Sequence, residues 1–179
     1  MLENMGLLHP VKNTTYTGFA MTFFLGADMN RPSWDKYFMK IARVVSERST
    51  CRRRGVGAII VLSKRIIATG YNGAVSGLEH CETTGCMREK LKIPSGKSPE
   101  LCRGLHAEQN ALLFAARAGI DMEGGVLYST HQPCILCAKM IIQAGIKKVV
   151  FEGTYPDRLA RDLFREAKIK LVRYREKRR

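Results

Sequence analysis

The second half of the chain alternates between strand patterns and helix patterns, which limits the folds that it can adopt. The apolar segments "GGVLYSTH", "KKVVFEG" and "IKLVRY" are separated by the helical patterns "PCILCAKMIIQAG" and "DRLARDLFREA". A strand that is followed by a helix and another strand favours two neighbouring strands in one sheet, with the helix packed on its face. We therefore predict an α/β layer fold with a largely parallel sheet.

The first half adds a helix, two strands and a stretch without a regular pattern. Ser33 suits the N-cap position of a helix, and apolar residues recur at helical spacing from Trp34 to Val45. "VGAIIVLS" and "RIIATGYNG" predict two buried strands that are joined by a short polar turn. Residues 72–103 are irregular, and a further helix is predicted over about 106–118, with Gly119 at its end.

Length and composition fit one globular domain behind a segment of different character. The chain has 179 residues, of which 45% are hydrophobic, and this is enough for a core without disulfide bonds. Residues 1–28 do not resemble the rest, and "TGFAMTFFLGA" lacks the flanks of a signal peptide. We predict a domain over 29–179 and an N-terminal extension that is disordered or reflects a mispredicted start. Because no apolar run is long enough to span a bilayer, we expect no membrane partner.

The net charge favours anionic partners. Thirty Lys and Arg residues against sixteen Asp and Glu residues give a net charge of +14. Phosphorylated metabolites, nucleic acid and acidic surfaces all fit this charge, which does not choose among them. The chain also has six cysteines, and a Cys-x-x-Cys pair with histidines nearby is more typical of metal binding in a reducing compartment than of disulfides. We therefore predict a cytoplasmic protein.

Two short motifs place metal ligands at the starts of two predicted helices. "HAE" contains His106, and "PCILC" contains Cys134 and Cys137 behind Pro133, which suits the first helical turn. Thiols three residues apart share one side of a helix, and the helix N-terminus favours the thiolate form. Two thiolates and one imidazole leave the fourth position of a tetrahedral zinc ion open to water. This open position is typical of catalytic zinc.

Glu108 is the predicted proton carrier of this site. It is too close to His106 along the helix to serve as an obvious further ligand, but its carboxylate can take a proton from water on the metal and return it to the substrate. Alone, the first motif fits a capping or solvated pair, and Cys-x-x-Cys fits structural zinc or redox chemistry. In this order, H-x-E followed by P-C-x-x-C is the pattern of zinc nucleobase deaminases.

The chain resembles the cytidine and deoxycytidylate deaminase superfamily from about Asp35 to Val172. The resemblance is carried by "CRRRGVGAIIV", "ATGYNGAVSGLEHC", "CRGLHAEQNALLFAARAG", "LYSTHQPCILCAKMIIQAGIKKVVF" and "TYPD". It is closest to deoxycytidylate (dCMP) deaminases, including bacterial proteins encoded in late-competence operons. This implies a cytidine-deaminase-like three-layer α/β fold, in which helices flank a five-stranded, mostly parallel or mixed sheet, with a catalytic zinc ion between two helix starts.

The same resemblance implies a reaction and several substrate contacts. It implies hydrolysis of dCMP to dUMP with release of ammonia, in which Glu108 carries protons to N3 and then to the leaving amine. Asn72 is expected to line the nucleotide pocket, and the backbone of Ala107 to lie close to the pyrimidine. A plain turn after a strand is the alternative for Asn72. His131 and Gln132 are expected near the pocket, with simple loop residues as the alternative.

Assembly and regulation also follow from the resemblance only. Family members are often hexamers that dCTP activates and dTTP inhibits, so we expect a homo-oligomer. Phe114 and Arg117 match positions near the oligomer interface of some relatives. A core phenylalanine and a solvated arginine are the alternatives.

The four cysteines outside the catalytic motif predict a second, structural zinc ion. Four thiolates suffice for a closed tetrahedral site, and a metal would offset the loop entropy of the polar insert. Some phage dCMP deaminases similarly carry an extra zinc. His80 is the reserve ligand, and four reduced thiols are the alternative. The predicted ligands are Cys51, Cys81, Cys86 and Cys102.

Three other functions stay open at this point. A tRNA or DNA editing deaminase shares the zinc motif and suits the charge, although "GYNG" and the insert favour a pocket for a mononucleotide. A riboflavin-pathway deaminase would carry a second, reductase-sized domain. A zinc-stabilised nucleic-acid-binding protein would more naturally show paired Cys-x-x-Cys motifs, and it leaves Glu108 unexplained.

Overall fold

The computed structural model describes residues 31–94, 96–155 and 157–176, and all statements on structure refer to these residues. The regular elements include one 3₁₀ turn among the described residues, at Pro99–Leu101. The helices are α1 (Trp34–Ser46), α2 (Cys81–Thr84), α3 (Met87–Lys90), α4 (Ala107–Arg117), α5 (Ile135–Gln143) and α6 (Arg158–Glu166). The strands are β1 (Gly57–Leu62), β2 (Arg65–Tyr71), β3 (Gly73–Ala74), β4 (Gly104–Leu105), β5 (Val126–His131), β6 (Lys148–Gly153) and β7 (Lys170–Arg173).

Five strands form one mixed sheet in the order β2-β1-β5-β6-β7. The pairs β5–β6 and β6–β7 are parallel, because α5 and α6 carry the chain back across the sheet between these strands. The pairs β1–β2 and β1–β5 are antiparallel. Ser63 and Lys64 both have positive φ angles, as a tight two-residue hairpin between β1 and β2 requires. The five-stranded α/β fold is confirmed, and the expectation of a largely parallel sheet holds only for its second half.

Helices cover both faces of this sheet, which gives three layers. Successive residues of each strand point to opposite faces, so that every central strand contributes to two cores. One core lies between the sheet and α1 and includes Phe38, Met39, Ala42, Ile59, Val61, Tyr128 and Val150. The other core lies beneath α4, α5 and α6 and includes Ile60, Ala111, Leu127, Cys137, Ile141, Val149 and Phe164.

The start of α4 lies directly against β2, and Gly70 makes this approach possible. A Cβ atom at Gly70 would lie less than 3.0 Å from the backbone oxygen of Ala107 and the backbone nitrogen of Ala111. Backbone atoms cannot move aside as the end of a flexible side chain can. The absence of a side chain at Gly70 therefore fixes the depth at which α4, and the His106 that precedes it, meets the sheet.

The insert over 72–103 contains more regular structure than its sequence pattern predicts. It holds the one-turn helices α2 and α3, and β3 pairs with β4 in a separate two-stranded sheet. The predicted N-terminal extension at 1–28 lies outside the described residues, and so does its boundary with the domain. Within the described residues, no helix is both long and apolar enough to cross a membrane.

Candidate metal and active site

Three potential metal ligands converge where α4 and α5 begin. His106 precedes the first residue of α4, Cys134 is the N-cap of α5, and Cys137 lies in its first turn. The Nδ1 atom of His106 lies 3.4 Å from each of the two sulfur atoms, which are themselves 3.7 Å apart. The three side chains that "HAE" and "PCILC" single out are thus brought together.

The spacing of these donors fits a tetrahedral zinc ion. With Zn–S bonds of about 2.3 Å and a Zn–N bond of about 2.0–2.1 Å, tetrahedral angles place two sulfurs about 3.8 Å apart and sulfur and nitrogen about 3.5 Å apart. The observed distances of 3.7 Å and 3.4 Å lie within about 0.1 Å of these values. Two thiols and an imidazole are also a donor set that zinc prefers. The residues present therefore fit this metal.

The local helix geometry differs from the predicted one by two residues. Since α5 begins at Ile135, Pro133 precedes the helix and does not occupy its first turn. The helix start is held by Asp157, which accepts a hydrogen bond from the Ile135 backbone N–H over 2.7 Å. The same carboxylate accepts a bond from the Ala160 backbone N–H over 2.9 Å and so caps α6. Asp157 thus ties the segment that carries Cys134 to the neighbouring helix.

The two thiols are electrostatically unequal. The hydrogen bond with Cys137, followed by that with His106, lowers the pKa of the Cys134 thiol to about 4, although burial opposes this. The same bond and burial raise the pKa of Cys137 well above its usual value. The hydrogen bond with Cys134 raises the pKa of His106. The pair therefore provides one thiolate at neutral pH, and a bound cation would favour the second.

Glu108 is buried next to these donors. Its side chain is only 4% exposed, and the Ser129 hydroxyl donates a hydrogen bond to Oε1 over 3.1 Å. The Cys137 sulfur lies 3.8 Å from Oε2. Burial raises the pKa of the Glu108 carboxyl. A carboxylate with a raised pKa accepts a proton more readily than an exposed one, which is the property that a general acid–base group needs.

One pocket of about 580 Å³ opens onto the ligands and onto Glu108. This volume lies within the range of small-molecule sites. The other residues that the sequence assigns to the substrate also line it, namely Asn72, Ala107, His131 and Gln132.

The side-chain amide of Asn72 is already occupied by the protein. Its oxygen accepts hydrogen bonds from the Ser49 hydroxyl and from the Val56 backbone N–H, each over 2.7 Å. Its nitrogen donates to the backbone oxygen of Arg54 over 2.7 Å. Asn72 therefore holds the loop before β1 against the end of β2. A direct contact of Asn72 with substrate stays a prediction.

His131 and Gln132 both line the pocket, and each interacts with a residue from another segment. Burial lowers the pKa of His131, and the charge of Arg54 lowers it further, so that the neutral imidazole is favoured. The Gln132 side chain donates a hydrogen bond to the backbone oxygen of Asp157 over 3.1 Å. Both residues thus support the pocket wall near the metal ligands.

The four remaining cysteines line the same pocket, and all six cysteines of the chain are unpaired. Cys81 and Cys86 are buried, whereas Cys51 and Cys102 are half-buried. Among the described residues, His106, Cys134 and Cys137 are the group whose donor atoms all lie within 4.8 Å of one another. The four outer thiols do not reach this spacing, and a second zinc ion stays a prediction.

Several residues of the site were not singled out from the sequence. Ser129 lies inside an ordinary strand pattern, which gives no signal for its contact with Glu108. Asp157 stands in the quoted "TYPD" and is the first residue of the predicted helix "DRLARDLFREA", where an N-cap could have been recognised. Arg88 and Tyr155 also line the pocket.

Comparisons with known proteins agree with this geometry. The family described as "Cytidine and deoxycytidylate deaminase zinc-binding region" matches residues 32–153. ComE operon protein 2 of Bacillus subtilis is 44% identical over 140 residues, which are 78% of this chain and 70% of that protein. A deoxycytidylate deaminase of Schizosaccharomyces pombe is 41% identical over 80% of this chain, which spans only 45% of the yeast protein.

A solved structure is similar over almost its full length. It is the dCMP deaminase of cyanophage S-TIM5 in complex with dCMP and dUMP. Its TM-score is 0.67 and its identity 35%, over 80% of this chain and 98% of the phage chain.

Proposed function

This chain belongs to the cytidine and deoxycytidylate deaminase family, and we propose that it hydrolyses dCMP to dUMP and ammonia. The observation that carries the proposal is the buried Glu108 beside three zinc-type donors at the floor of one pocket. In this reaction the oxygen of water forms a bond to C4 of the cytosine ring. The bond from C4 to the exocyclic nitrogen then breaks, and ammonia leaves.

His106, Cys134 and Cys137 would hold the zinc ion. In a site with three protein ligands, zinc supplies Lewis-acid activation of the attacking water. Glu108 moves the protons: its carboxylate takes one from this water and delivers protons to N3 and then to the departing amine. Ser129 donates a hydrogen bond to Oε1 of Glu108, and Oε2 would be left to take the proton once Cys137, which contacts it in the metal-free site, holds zinc as a thiolate. Because the carboxylate is buried, it exchanges this proton with the substrate and not with bulk solvent.

The pocket favours a mononucleotide over a polynucleotide. Its volume of about 580 Å³ suits one nucleotide, and arginines at its border suit a phosphate. The phage relative was solved with dCMP and dUMP, and this supports the same substrate class.

Substrate competition tests the proposal. We expect kcat/KM for dCMP to exceed the values for dCTP, cytidine, single-stranded DNA and an RNA hairpin by at least tenfold. A preference for tRNA or DNA would replace the proposal with an editing deaminase. Binding of nucleic acid without deamination of any of these substrates would contradict an enzymatic function.

We also propose a second, structural zinc ion held by the four outer cysteines. All four cysteines line one pocket. Burial raises the pKa of the Cys81 thiol most, and the nearby Cys102, Cys86 and Cys51 raise it further. Metal analysis should give two zinc ions per chain in the wild type and one in a Cys81→Ser, Cys86→Ser variant. One zinc ion in wild type with all four thiols open to alkylation would contradict this proposal.

For assembly we propose a homo-oligomer, with a hexamer as the expected size. For regulation we propose that dCTP activates this enzyme and that dTTP inhibits it. The outer face of α4 supports an interface, since Leu113 is 46% and Phe114 58% exposed, and Arg117 beside them is exposed too. Light scattering and activity with each triphosphate test these points. The six unpaired cysteines support a location in the reducing cytoplasm.

A further inference from the structure

A hydroxyl group lies in the core at a position where an apolar side chain would be expected. Ser129 belongs to the central strand β5, which pairs with β1 on one side and β6 on the other, and its side chain is fully buried. Residues two apart on a strand share a face, so Ser129 lies on the face of Leu127, which belongs to the core beneath α4, α5 and α6. A buried hydroxyl costs folding free energy unless it is hydrogen-bonded. The presence of Ser129 at this position therefore depends on the hydrogen bonds that it makes.

The Ser129 hydroxyl donates its hydrogen to Glu108. Its oxygen accepts a hydrogen bond from the backbone N–H of His131 over 3.4 Å, and the hydroxyl donates to Oε1 of Glu108 over 3.1 Å. A hydroxyl has one hydrogen to donate, and an ionised carboxylate can only accept. The direction of this bond is therefore fixed whenever Glu108 is ionised.

The two oxygens of the Glu108 carboxylate have different neighbours. Oε1 accepts from Ser129, whereas Oε2 lies 3.8 Å from the sulfur of Cys137, which is one of the zinc-type donors. Among the described residues, these two side chains are the ones that hydrogen-bond the carboxylate. Cys137 has no hydrogen to donate once it binds a metal as a thiolate. Ser129 then remains as the donor that orients Glu108.

Ser129 does not reach the substrate pocket itself. Glu108 lines the pocket, but Ser129 is not one of the lining residues. Any effect of Ser129 on the reaction therefore passes through Glu108. A group that takes a proton from one atom and delivers it to another has to be within hydrogen-bond reach of both, and a small displacement from this geometry lowers the rate steeply.

We infer that Ser129 is a positioning residue for proton transfer: its hydroxyl holds Oε1 of Glu108, so that Oε2 faces the zinc ligands. This inference rests on the proposed function. The strand that carries Ser129 ends at His131, three residues before Cys134. The donor and a metal ligand thus belong to one short segment on the rigid sheet, and rigid elements hold reactive groups more precisely than loops do.

Removal and restoration of the hydroxyl test the inference. kcat and KM for dCMP are measured together with zinc content for wild type, Ser129→Ala and Ser129→Thr. Ser129→Ala should lower kcat by roughly 10- to 100-fold, the effect of losing a hydrogen bond to a charged group, with KM within about threefold and zinc unchanged. Ser129→Thr keeps a hydroxyl and should regain most of the activity.

Thr130→Val is the matched control for a lost hydroxyl. Thr130 is the next residue of β5, is also buried and points to the opposite face of the sheet. Its hydroxyl accepts a hydrogen bond from the Gly57 backbone N–H over 3.1 Å. Thr130→Val should lower stability but leave kcat within about threefold of wild type.

A double substitution shows whether Ser129 acts through Glu108. Single-turnover rates are compared for Glu108→Gln with and without Ser129→Ala. Because the proton carrier is already lost in Glu108→Gln, the second substitution should change the residual rate less than about threefold. A further tenfold loss would show a role of Ser129 that bypasses Glu108 and would contradict the inference.

Crystal structures of the zinc-loaded variants give a readout besides activity. The Glu108 carboxylate should turn away or take several orientations in Ser129→Ala, and it should keep one orientation in wild type and Ser129→Thr. The inference is wrong if Ser129→Ala keeps the wild-type kcat, loses zinc in proportion to activity or keeps the carboxylate in place. A folded Ser129→Thr that is as slow as Ser129→Ala would also contradict it. If wild type deaminates none of the tested nucleotides, the proposed function fails, and the structures still decide whether Ser129 orients Glu108.

Discussion

Replacing Glu108 with glutamine separates proton transfer from metal binding. Glutamine has nearly the same shape, and its side-chain oxygen can keep the hydrogen bond from Ser129, which spans 3.1 Å in the wild type. The amide has no basic oxygen with which to take a proton from water. General acid–base catalysis contributes about 10²- to 10⁴-fold. At about 1.4 kcal/mol per tenfold, E108Q should raise the activation free energy by roughly 3–5 kcal/mol.

The same substitution should not weaken the fold or the metal site. Burial raises the pKa of Glu108, so the ionised carboxylate costs folding free energy in the zinc-free protein. The folded state holds the proton of such an acid more tightly than the unfolded state does. The stability that this gives is fully present below the unfolded pKa of about 4.3, and it is lost as the pH rises toward the folded-state pKa. Zinc-free E108Q should therefore be at least as stable as wild type at pH 7, and its advantage over wild type should be smallest at and below about pH 4.3.

Three measurements check this prediction together. Turnover is followed by the loss of cytosine absorbance, zinc content by metal analysis, and stability by denaturant unfolding of the zinc-free forms. We expect loss of turnover, unchanged zinc and equal or higher stability. Activity of E108Q within tenfold of wild type would show that Glu108 is not the proton carrier. Loss of zinc would make Glu108 part of the metal site instead.

Other perturbations follow from the packing and the metal site. Gly70→Ala should lower the free energy of unfolding by about 1–3 kcal/mol, whereas Gly55→Ala, where a Cβ atom meets only ordinary contacts, should change it little. Removal of zinc with a chelator should abolish turnover, and added zinc should restore it. Phe114→Glu should shift the assembly toward smaller species in light scattering without loss of fold. Asp157→Ala should weaken zinc binding about tenfold as well as stability, whereas Ser33→Ala, which removes the N-cap bond of α1, should affect stability only.

The metal ligands could be identified from the sequence because they lie in short local motifs. The separation of Cys134 and Cys137 by two residues fixes their relation on any helix start, and His106 and Glu108 are two residues apart. What the motifs could not give is the distance between α4 and α5. That distance depends on how both helices pack on the sheet, and the donor spacing of 3.4–3.7 Å is a result of this packing.

The sequence predicts the direction of the strands in the second half of the chain but not how the first half pairs with them, because that pairing also depends on distant contacts. Alternation of strands and helices predicts parallel neighbours wherever a helix crosses between them, and β5, β6 and β7 follow this rule. The pairing of β1 with β5 joins segments that are separated by the insert and α4. No periodic pattern specifies whether such distant strands run parallel or antiparallel.

The parts of the site that escaped prediction are those where side chains act through tertiary contacts. Ser129 looks like any small residue in a strand until its hydroxyl meets Glu108, and Arg88 looks like any charged residue in an irregular insert. Periodicity carries no information in the insert, because its short helices bury few apolar residues. The motifs therefore supply the metal ligands and the proton carrier, whereas a large part of the pocket wall comes from the segment whose structure the sequence predicts least well. Variants in the insert should accordingly change the ranking of substrates, and variants in the two motifs should lower the rate for every substrate alike.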